Sequence, residues 1–538
     1  MFLTPLVVLA SGPALADQCD GLKDALDAID APDSHLTAAL AHLSHQARHQ
    51  RQVDCANDAL RARGLPAGIM PADWAMPALP PPPDGELTTR DFYAVPNSME
   101  SDHFVVRWGS GITDITAQAV LDAFELAWTV EVEEMGYPAP LYADTTKVNV
   151  YLGQTGGNVP AISGGVGGYY TLDDEGYPML VLSDTAYTYL NGYGDAVIAH
   201  ELFHGVQGGA RSTYEYANNA PGAWFWEATA TWVMDKVIPD DTSHAGFLFG
   251  YSFLPHLSIN HFAYPQRGTI EESHQYGAFI FIQHLTEHTA DPDLIRVAWT
   301  ESDNAADPLT VIGDRLVADY GTTLFDAFSD FAARNVSWDY ENGELYEQFH
   351  EYYASNLPDQ DFRLADLVVG DSDGWIEAEG NLPEWMGTNY IELAPLHDEA
   401  PVINGLRIQF EGDGSGDAGN QAEWSVWLVS PDGTIVLPLE VTDGVVDTTV
   451  DVTEDVWMVI NATASAQRRG ETFGYRYNIT WTVDEPDDNR QNDGSVGDGE
   501  GPRGVGCATI GGGAMAGWAA WSGLLALCRR RRFSRRLP

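Results

Sequence analysis

The alternation of apolar and polar positions predicts a mixed α/β region over about residues 88–360. Short apolar and aromatic runs predict strands over 103–109 and 147–153, and a longer run predicts a hairpin over 169–183. Helical spacing predicts a long helix over 114–135. Its apolar stripe is expected to contain Ile115, Ala119, Ala123, Leu126 and Val130. Because strands and long helices are interspersed, we predict an α+β fold for this region.

From about residue 365 the pattern changes to short β-rich runs separated by turn signals. These runs cover 424–430, 433–441, 455–463 and 475–483. Their spacing predicts an antiparallel β-sandwich domain over 365–484. The stretch 485–505 is acidic, glycine-rich and nearly free of apolar residues, which is typical of a disordered stalk.

The N-terminal end predicts export. Residues 1–16 are largely apolar and end in Ala14-Leu15-Ala16, the small-x-small pattern of a signal-peptide cleavage site, although no Lys or Arg precedes the apolar run. An ordinary N-terminal helix is the alternative. Residues 17–70 predict a helical segment in which Cys19 and Cys55 could form a disulfide after export. Its role, as a prosegment or a spacer, stays open. The proline-rich stretch 71–87 predicts a stiff linker.

The C-terminal end, 506–538, predicts a membrane-spanning tail. Residues 508–528 are 21 positions without a charge, and four arginines follow at 529–532. The Gly506-Cys507 pair, the Gly/Ala-rich span and the arginine cluster resemble the C-terminal sorting tails of myxobacteria (MYXO-CTERM type). That resemblance implies processing near Cys507 and delivery to the cell surface or outside the cell. A plain membrane anchor is the alternative.

The charge balance excludes one class of partner. The chain has 79 acidic and 27 basic residues, a formal net charge of −52. Binding to nucleic acid through phosphates needs clustered Lys and Arg, so we expect no nucleic-acid partner. We interpret the excess acid as a solvated surface.

The sequence AVIAHELFHGVQ, residues 196–207, contains the strongest chemical signal. On a helix His200 and His204 lie on one face and can bind one metal ion, while Glu201 lies beside them. Catalytic zinc takes three protein ligands and a water, and a neighbouring carboxylate can accept the proton of that water. Glu201 interrupts an apolar run, where a charge is costly unless something pairs with it. Core histidines would not explain this acid.

The third ligand distinguishes classes of zinc protease. The astacin pattern requires glycine and histidine where this chain has Gln207 and Ala210, so that class is excluded. Downstream, an apolar and aromatic stretch over 221–237 predicts a second helix that carries Glu227 near its start. If the two helices pack together, Glu227 completes a His-His-Glu site. The alternative is an acid that only favours the positive end of the helix dipole.

HELFH followed by PGAWFWEATATW resembles the gluzincin metallopeptidases, above all secreted myxobacterial ones with the same tail. The resemblance covers 88–360 and implies a zincin-like fold with Zn²⁺ bound by His200, His204 and Glu227. It also implies that Glu201 is the general base and that an edge strand, here the 169–183 hairpin, pairs with an extended peptide. Thr231 departs from the pattern, since thermolysin-like members have an acid there that orients a histidine.

A third helical stretch over 273–288 provides a candidate for the far wall of the site. Related folds have a tyrosine at the start of such a helix to stabilise an oxyanion. Tyr276 is our candidate, with His274 as the second choice. A tyrosine that only packs is an equal alternative.

These features predict a secreted or cell-surface zinc endopeptidase that acts on protein or peptide substrates. Two alternatives stay open. One is a catalytically inactive adhesion or binding protein on a peptidase fold, which would not need Glu201 beside both histidines. The other is a zinc aminopeptidase, which would need an anchor for the free amine of its substrate.

Overall fold

A five-stranded sheet and the helices packed on it form the first part of the structure, which is a computed structural model. It describes residues 87–162, 167–173, 176–210, 212–217, 220–263, 270–289, 291–302, 307–356, 367–396, 403–413 and 420–483. The strands of this sheet are β1 Asn97–Glu100, β2 Phe104–Trp108, β3 Val148–Leu152, β4 Gly168–Leu172 and β5 Pro178–Leu182. The predicted strands and the predicted hairpin are confirmed.

The order of this first sheet is β1-β2-β3-β5-β4. β2, β3 and β5 run parallel and are buried along their whole length, which explains their nearly continuous apolar sequences. β1 and β4 are antiparallel to their neighbours. β4 is therefore an outer strand of this sheet, next to the buried strand β5.

Helices dominate the chain up to residue 356. They are α1 Asp114–Trp128, α2 Asp184–Thr188, α3 Tyr193–Ala210, α4 Ala223–Val237, α5 Phe249–Ser252, α6 His274–Gly277, α7 Phe279–His288, α8 Asp293–Thr300, α9 Pro308–Arg315, α10 Leu324–Arg334 and α11 Gly343–Asn356. The predicted helix over 114–135 is α1 and a π-helical extension, Thr129–Glu134. The predicted helix over 273–288 is divided at Ala278 into α6 and α7.

The predicted apolar stripe of α1 is correct at Ala123, which is buried, and wrong at Ile115 and Leu126. Ile115 is 82% exposed and Leu126 is 44% exposed. Besides Ala123, the buried face contains Ala117, Val120, Leu121, Phe124, Ala127 and Trp128. Both sets have helical spacing, and the larger side chains of the second set bury more apolar area against β2 and β3.

α3 and α4 are the central helices of this part and pack against each other. Both are buried on nearly every side, since α3 lies between α1, β4 and α4, and α4 also contacts α6 and α7. The sequence of a helix buried in this way is apolar on all faces. The few polar groups buried on these helices need partners within the protein.

The chain after residue 366 is β-rich, as predicted. Its strands are β6 Leu367–Val369, β7 Ile376–Glu377, β8 Gly387–Ala394, β9 Ile403–Gly412, β10 Ala422–Val429, β11 Val436–Leu439, β12 Val445–Val450, β13 Val456–Ala464 and β14 Tyr475–Val483. They form two sheets, in the orders β11-β10-β13-β8-β6 and β12-β9-β14-β7, and both sheets contribute to one hydrophobic cluster. The pairing is antiparallel except between β6 and β8, which run parallel.

The helical and β-rich parts are joined by backbone and side-chain contacts. The Thr388 N–H donates to the Pro255 carbonyl (2.7 Å), and the Glu384 N–H donates to the His256 carbonyl (2.8 Å). A Cβ on Gly387 would lie 2.2 Å from the His256 carbonyl oxygen, so only glycine permits this approach. The two parts therefore pack directly against each other at this point.

Several sequence predictions lie outside the described residues. They are the signal peptide (1–16), the helical segment with Cys19 and Cys55 (17–70), the linker up to residue 86, the stalk (485–505) and the tail (506–538). In the part of the chain that the structure describes, no helix has the length and apolar character that crossing a membrane requires.

Candidate metal centre

The helices α3 and α4 bring His200, His204 and Glu227 together. The Glu227 Oε2 atom lies 3.3 Å from His200 Nε2 and 3.6 Å from His204 Nε2. Tetrahedral ligands about 2.0–2.1 Å from a zinc ion would be roughly 3.3 Å apart. One ligand atom from each residue lies within 4.8 Å of the other two, so the three can hold a metal ion.

All three side chains are buried, with 6%, 7% and 2% exposure for His200, His204 and Glu227. The two imidazole rings lie nearly perpendicular, with their centroids 4.8 Å apart. A buried carboxylate is costly unless a positive group or a metal ion compensates its charge. Two ring nitrogens facing one carboxylate oxygen therefore form a site that favours a cation.

A hydrogen-bond chain through Gln207 orients His204. Gln207 Nε2 donates to the Trp226 carbonyl (2.8 Å) and to Thr229 Oγ1 (2.9 Å), while its Oε1 lies 2.8 Å from His204 Nδ1. Because a carbonyl oxygen only accepts, the Gln207 amide must face Trp226, and its Oε1 must face His204. His204 Nδ1 consequently carries a proton and donates it to Gln207, so Nε2 is the nitrogen that faces Glu227 and that could bind a metal ion.

Tyr216 orients the third member of the group. Its hydroxyl donates to Glu227 Oε1 at 2.5 Å. This contact leaves the other oxygen, Oε2, directed at the two imidazoles. The site thus has an orienting partner for one histidine and one for the carboxylate, an arrangement common around metal ions in proteins.

The protonation behaviour of the metal-free group follows from its geometry. Burial acts to raise the pKa of Glu227, but the two imidazoles outweigh it and hold that pKa well below its usual range. Burial acts to lower the pKa of His204, but the Glu227 carboxylate, Glu201 and Gln207 together raise it to about 9. For His200 burial prevails, and its pKa is lowered. The group therefore attracts one positive charge, and a bound metal ion would displace the His204 proton.

Glu201 lies next to His200 on α3 and is 2% exposed. It faces the start of strand β4, where a Cβ added to Gly168 would lie 2.7 Å from Glu201 Cγ. Glycine at 168 thus lets the outer strand approach the carboxylate closely. This contact brings the acid and the edge of the sheet to the same place.

The two candidates for the far wall differ in position. Tyr276 is 5% exposed, and its ring lies 6.1 Å from the His200 ring at an interplanar angle of 24°. His274 is fully buried, and its described ring contacts are with Tyr251 and His261. Only Tyr276 of this pair has a described contact with the metal-ligand group.

Gln207 and Tyr216 are not predicted from the sequence as functional residues. Gln207 differs from the glycine of another zinc motif, and that difference says nothing of a role. Gln207 lies three residues after His204, so both side chains project from one face of the helix. This spacing could have indicated their contact. Tyr216 lies in the connection between α3 and α4, and nothing in its local pattern indicates the contact with Glu227.

Gln207→Ala is expected to weaken zinc binding by roughly 10–100-fold, because His204 loses the acceptor that fixes its ring. Gln207→Glu keeps the acceptor for His204 but places a carboxylate oxygen against the Trp226 carbonyl, so it should restore only part of the affinity. Competition with a chelating dye measures the dissociation constant of zinc for each variant. Equal zinc affinity in the wild type and Gln207→Ala would remove Gln207 from the site.

Comparison with known proteins gives one family. The model described as "Family of unknown function (DUF6055)" matches residues 80–486, which is most of the chain and includes all three members of the metal-ligand group. A comparison with curated proteins gives no match.

Proposed function

This chain belongs to the DUF6055 family, and we propose that it is a zinc-dependent endopeptidase of the gluzincin type, secreted or held at the cell surface. The observation that carries the proposal is the convergence of His200, His204 and Glu227 around one point, with Glu201 beside them. The zincin-like fold and the identity of the metal are parts of this proposal.

The donor set favours zinc among the common metals. Two imidazoles and one carboxylate are the ligands of a known class of catalytic zinc sites, whereas calcium and magnesium prefer sites composed only of oxygen. Three protein ligands leave a fourth position for water or substrate. A bound zinc ion would polarise the scissile carbonyl and lower the pKa of a bound water to about 7.

Glu201 is assigned the role of general base and acid. Its carboxylate would accept a proton from the attacking water and then pass that proton to the leaving amine. His200 and Glu201 are consecutive residues of a buried helix, so the acid is held beside the ligand group by the backbone itself. A catalytically inactive binding protein would not require this acid at a site where an unpaired charge is unfavourable.

Strand β4 is proposed to bind the substrate backbone. In the described part of the chain β4 is the last strand of its sheet. Its first residue, Gly168, lies against Glu201. An extended peptide can add to such an edge through main-chain hydrogen bonds. A peptide bound there would pass over Glu201, which supports cleavage within a chain.

Tyr276 is proposed to donate a hydrogen bond to the oxyanion of the substrate. Tyr276→Phe is then expected to lower kcat by roughly 10²–10³-fold, with KM and zinc content little changed. Tyr137→Phe is the matched control, because it removes another buried tyrosine hydroxyl from the same core. Steady-state kinetics on a quenched peptide measures both, and an unchanged kcat in Tyr276→Phe would leave this tyrosine a packing role only.

Export and surface delivery are proposed from the sequence of the two ends, 1–16 and 506–538. The test of the enzymatic proposal is cleavage of a peptide library by the full chain, with and without a chelator. Cleavage inside peptides that stops on chelation supports an endopeptidase. Removal of single N-terminal residues would instead indicate an aminopeptidase.

A further inference from the structure

The connection between α3 and α4 contains residues 212–217, which we call the tyrosine segment. It includes no helix or strand, but its burial alternates along the chain. Tyr214 and Tyr216 are buried, and Glu215 between them is exposed. Such alternation is typical of an extended chain, in which residues two apart project to the same side. One short stretch of chain thus places two tyrosine side chains in the helical core.

Tyr214 attaches the tyrosine segment to α8. Its hydroxyl donates to the Ala298 carbonyl at 2.6 Å. Its ring packs edge to face against Trp299, also of α8, with the ring centroids 5.4 Å apart. A buried hydroxyl with a backbone acceptor and close ring packing stabilises the position of the segment. This attachment does not involve any member of the metal-ligand group.

Tyr216 approaches Glu227 from a packed position. Its ring lies nearly perpendicular to Phe262, at 5.4 Å, and to Trp226, at 6.5 Å. All three rings are buried. Rotation of the Tyr216 ring away from Glu227 would open a void among these aromatic side chains, which is unfavourable in a close-packed core. The packing therefore keeps the hydroxyl directed at the carboxylate.

The two oxygens of the Glu227 carboxylate have different surroundings. Oε1 accepts the Tyr216 hydroxyl at 2.5 Å, and a hydrogen bond to an ionised group is short and strong. Oε2 lies 3.3 Å from His200 Nε2 and 3.6 Å from His204 Nε2. One oxygen is thus held by the tyrosine segment, while the other faces both imidazoles.

This difference affects how a metal ion would be bound. Catalytic zinc takes three protein ligands, keeps the fourth position for water or substrate, and sometimes expands to five ligands in the transition state. A carboxylate that binds through both oxygens occupies one of these positions itself. A carboxylate whose second oxygen is held by a hydrogen bond leaves that position available.

We propose that Tyr216 is a positioning residue that restricts Glu227 to metal binding through Oε2 alone. It would thereby keep a position on the metal open for water or substrate. The inference rests on the proposed metal centre and deepens the proposed function, because it gives the α3–α4 connection a role in the site. Tyr214 is expected to hold the tyrosine segment in place without affecting the metal.

The first test compares zinc binding by Tyr216→Phe and Tyr214→Phe in the full chain. Each variant removes one buried hydroxyl from the tyrosine segment, and only Tyr216 contacts a metal ligand. Tyr216→Phe should weaken zinc binding by roughly 10–100-fold, as the loss of an orienting partner does. Tyr214→Phe should keep the wild-type affinity. Competition with a chelating dye measures both dissociation constants, and circular dichroism verifies that both variants fold.

The second test measures the coordination of the metal. Cobalt(II) can replace zinc in a site with these ligands, and its visible absorption is stronger with four ligands than with five or six. The wild type and Tyr214→Phe should both show the strong absorption. In Tyr216→Phe the Oε1 atom is released and can also bind the metal, so the absorption should be weaker.

Two results would overturn the proposal. One is a cobalt spectrum of Tyr216→Phe that equals that of the wild type. The other is an equal loss of zinc affinity in Tyr216→Phe and Tyr214→Phe, which would show a general effect of the tyrosine segment on stability.

A failure of the peptidase proposal is recognised separately, because neither readout uses peptide cleavage. A wild type that binds one zinc ion and cleaves no peptide contradicts the proposed function, and the comparison of the two variants still decides the role of Tyr216. A wild type that binds neither zinc nor cobalt contradicts both proposals.

Discussion

Glu201→Gln is expected to retain one zinc ion per chain and to lose peptide hydrolysis by roughly 10²–10⁴-fold. Glutamine has nearly the same shape as glutamate, so the contact with Gly168 and the packing of α3 should persist. The amide cannot accept the proton of the attacking water. Metal analysis after dialysis and hydrolysis of a quenched peptide measure the two effects separately.

Glu131→Gln is the matched control for this variant. Glu131 is another fully buried glutamate, located in the π-helical extension of α1, and burial raises its pKa well above the usual range. Glu131 lies outside the metal-ligand group, so replacing it with an amide of nearly the same shape should leave activity unchanged. If Glu201→Gln cleaves peptides at the wild-type rate, Glu201 is not the general base.

Glu227→Ala is expected to reduce zinc to well below one ion per chain after dialysis. The loss of affinity should exceed the roughly 10–100-fold that follows removal of an orienting partner, because a direct ligand is lost. The result separates the metal-ligand role from a helix-dipole role, since a dipole contact affects the free energy of unfolding and not metal content. Full retention of zinc would exclude Glu227 from the ligand set.

The same substitution at Glu131 tests whether the loss is specific. Glu131→Ala also removes a buried glutamate from the helical part, but outside the metal-ligand group. It should keep one zinc ion per chain if the protein folds, which circular dichroism can verify. Zinc loss in both variants would point to general destabilisation and not to loss of a ligand.

The local pattern was sufficient to predict the first sheet and the helices around the site, because their apolar runs are long and distinct. It was not sufficient to choose the buried face of α1, where two stripes with helical spacing compete. It also did not identify strands such as β8 and β9. Their burial alternates with exposure and depends on partners far along the chain, and long-range pairing leaves little local signal.

For the candidate site, the spacing of His200, Glu201 and His204 and the aromatic surroundings of Glu227 were sufficient to propose a ligand group. The role of Gln207 could not be predicted, because it depends on the Trp226 carbonyl of another helix. Contacts between the helical and β-rich parts could not be predicted either, since they join positions more than 200 residues apart in the chain, such as Asn260 and Gln467. Contacts of this kind follow from tertiary packing and not from periodicity.

We propose that zinc at His200, His204 and Glu227 is required for cleavage of peptide bonds. The most direct measurement is cleavage of a peptide library by the full chain after dialysis against a chelator, followed by titration with zinc. We expect no cleavage by the metal-free chain and full recovery at one equivalent of zinc. Cleavage that persists without metal, or a zinc-loaded chain that cleaves no peptide, would contradict the claim.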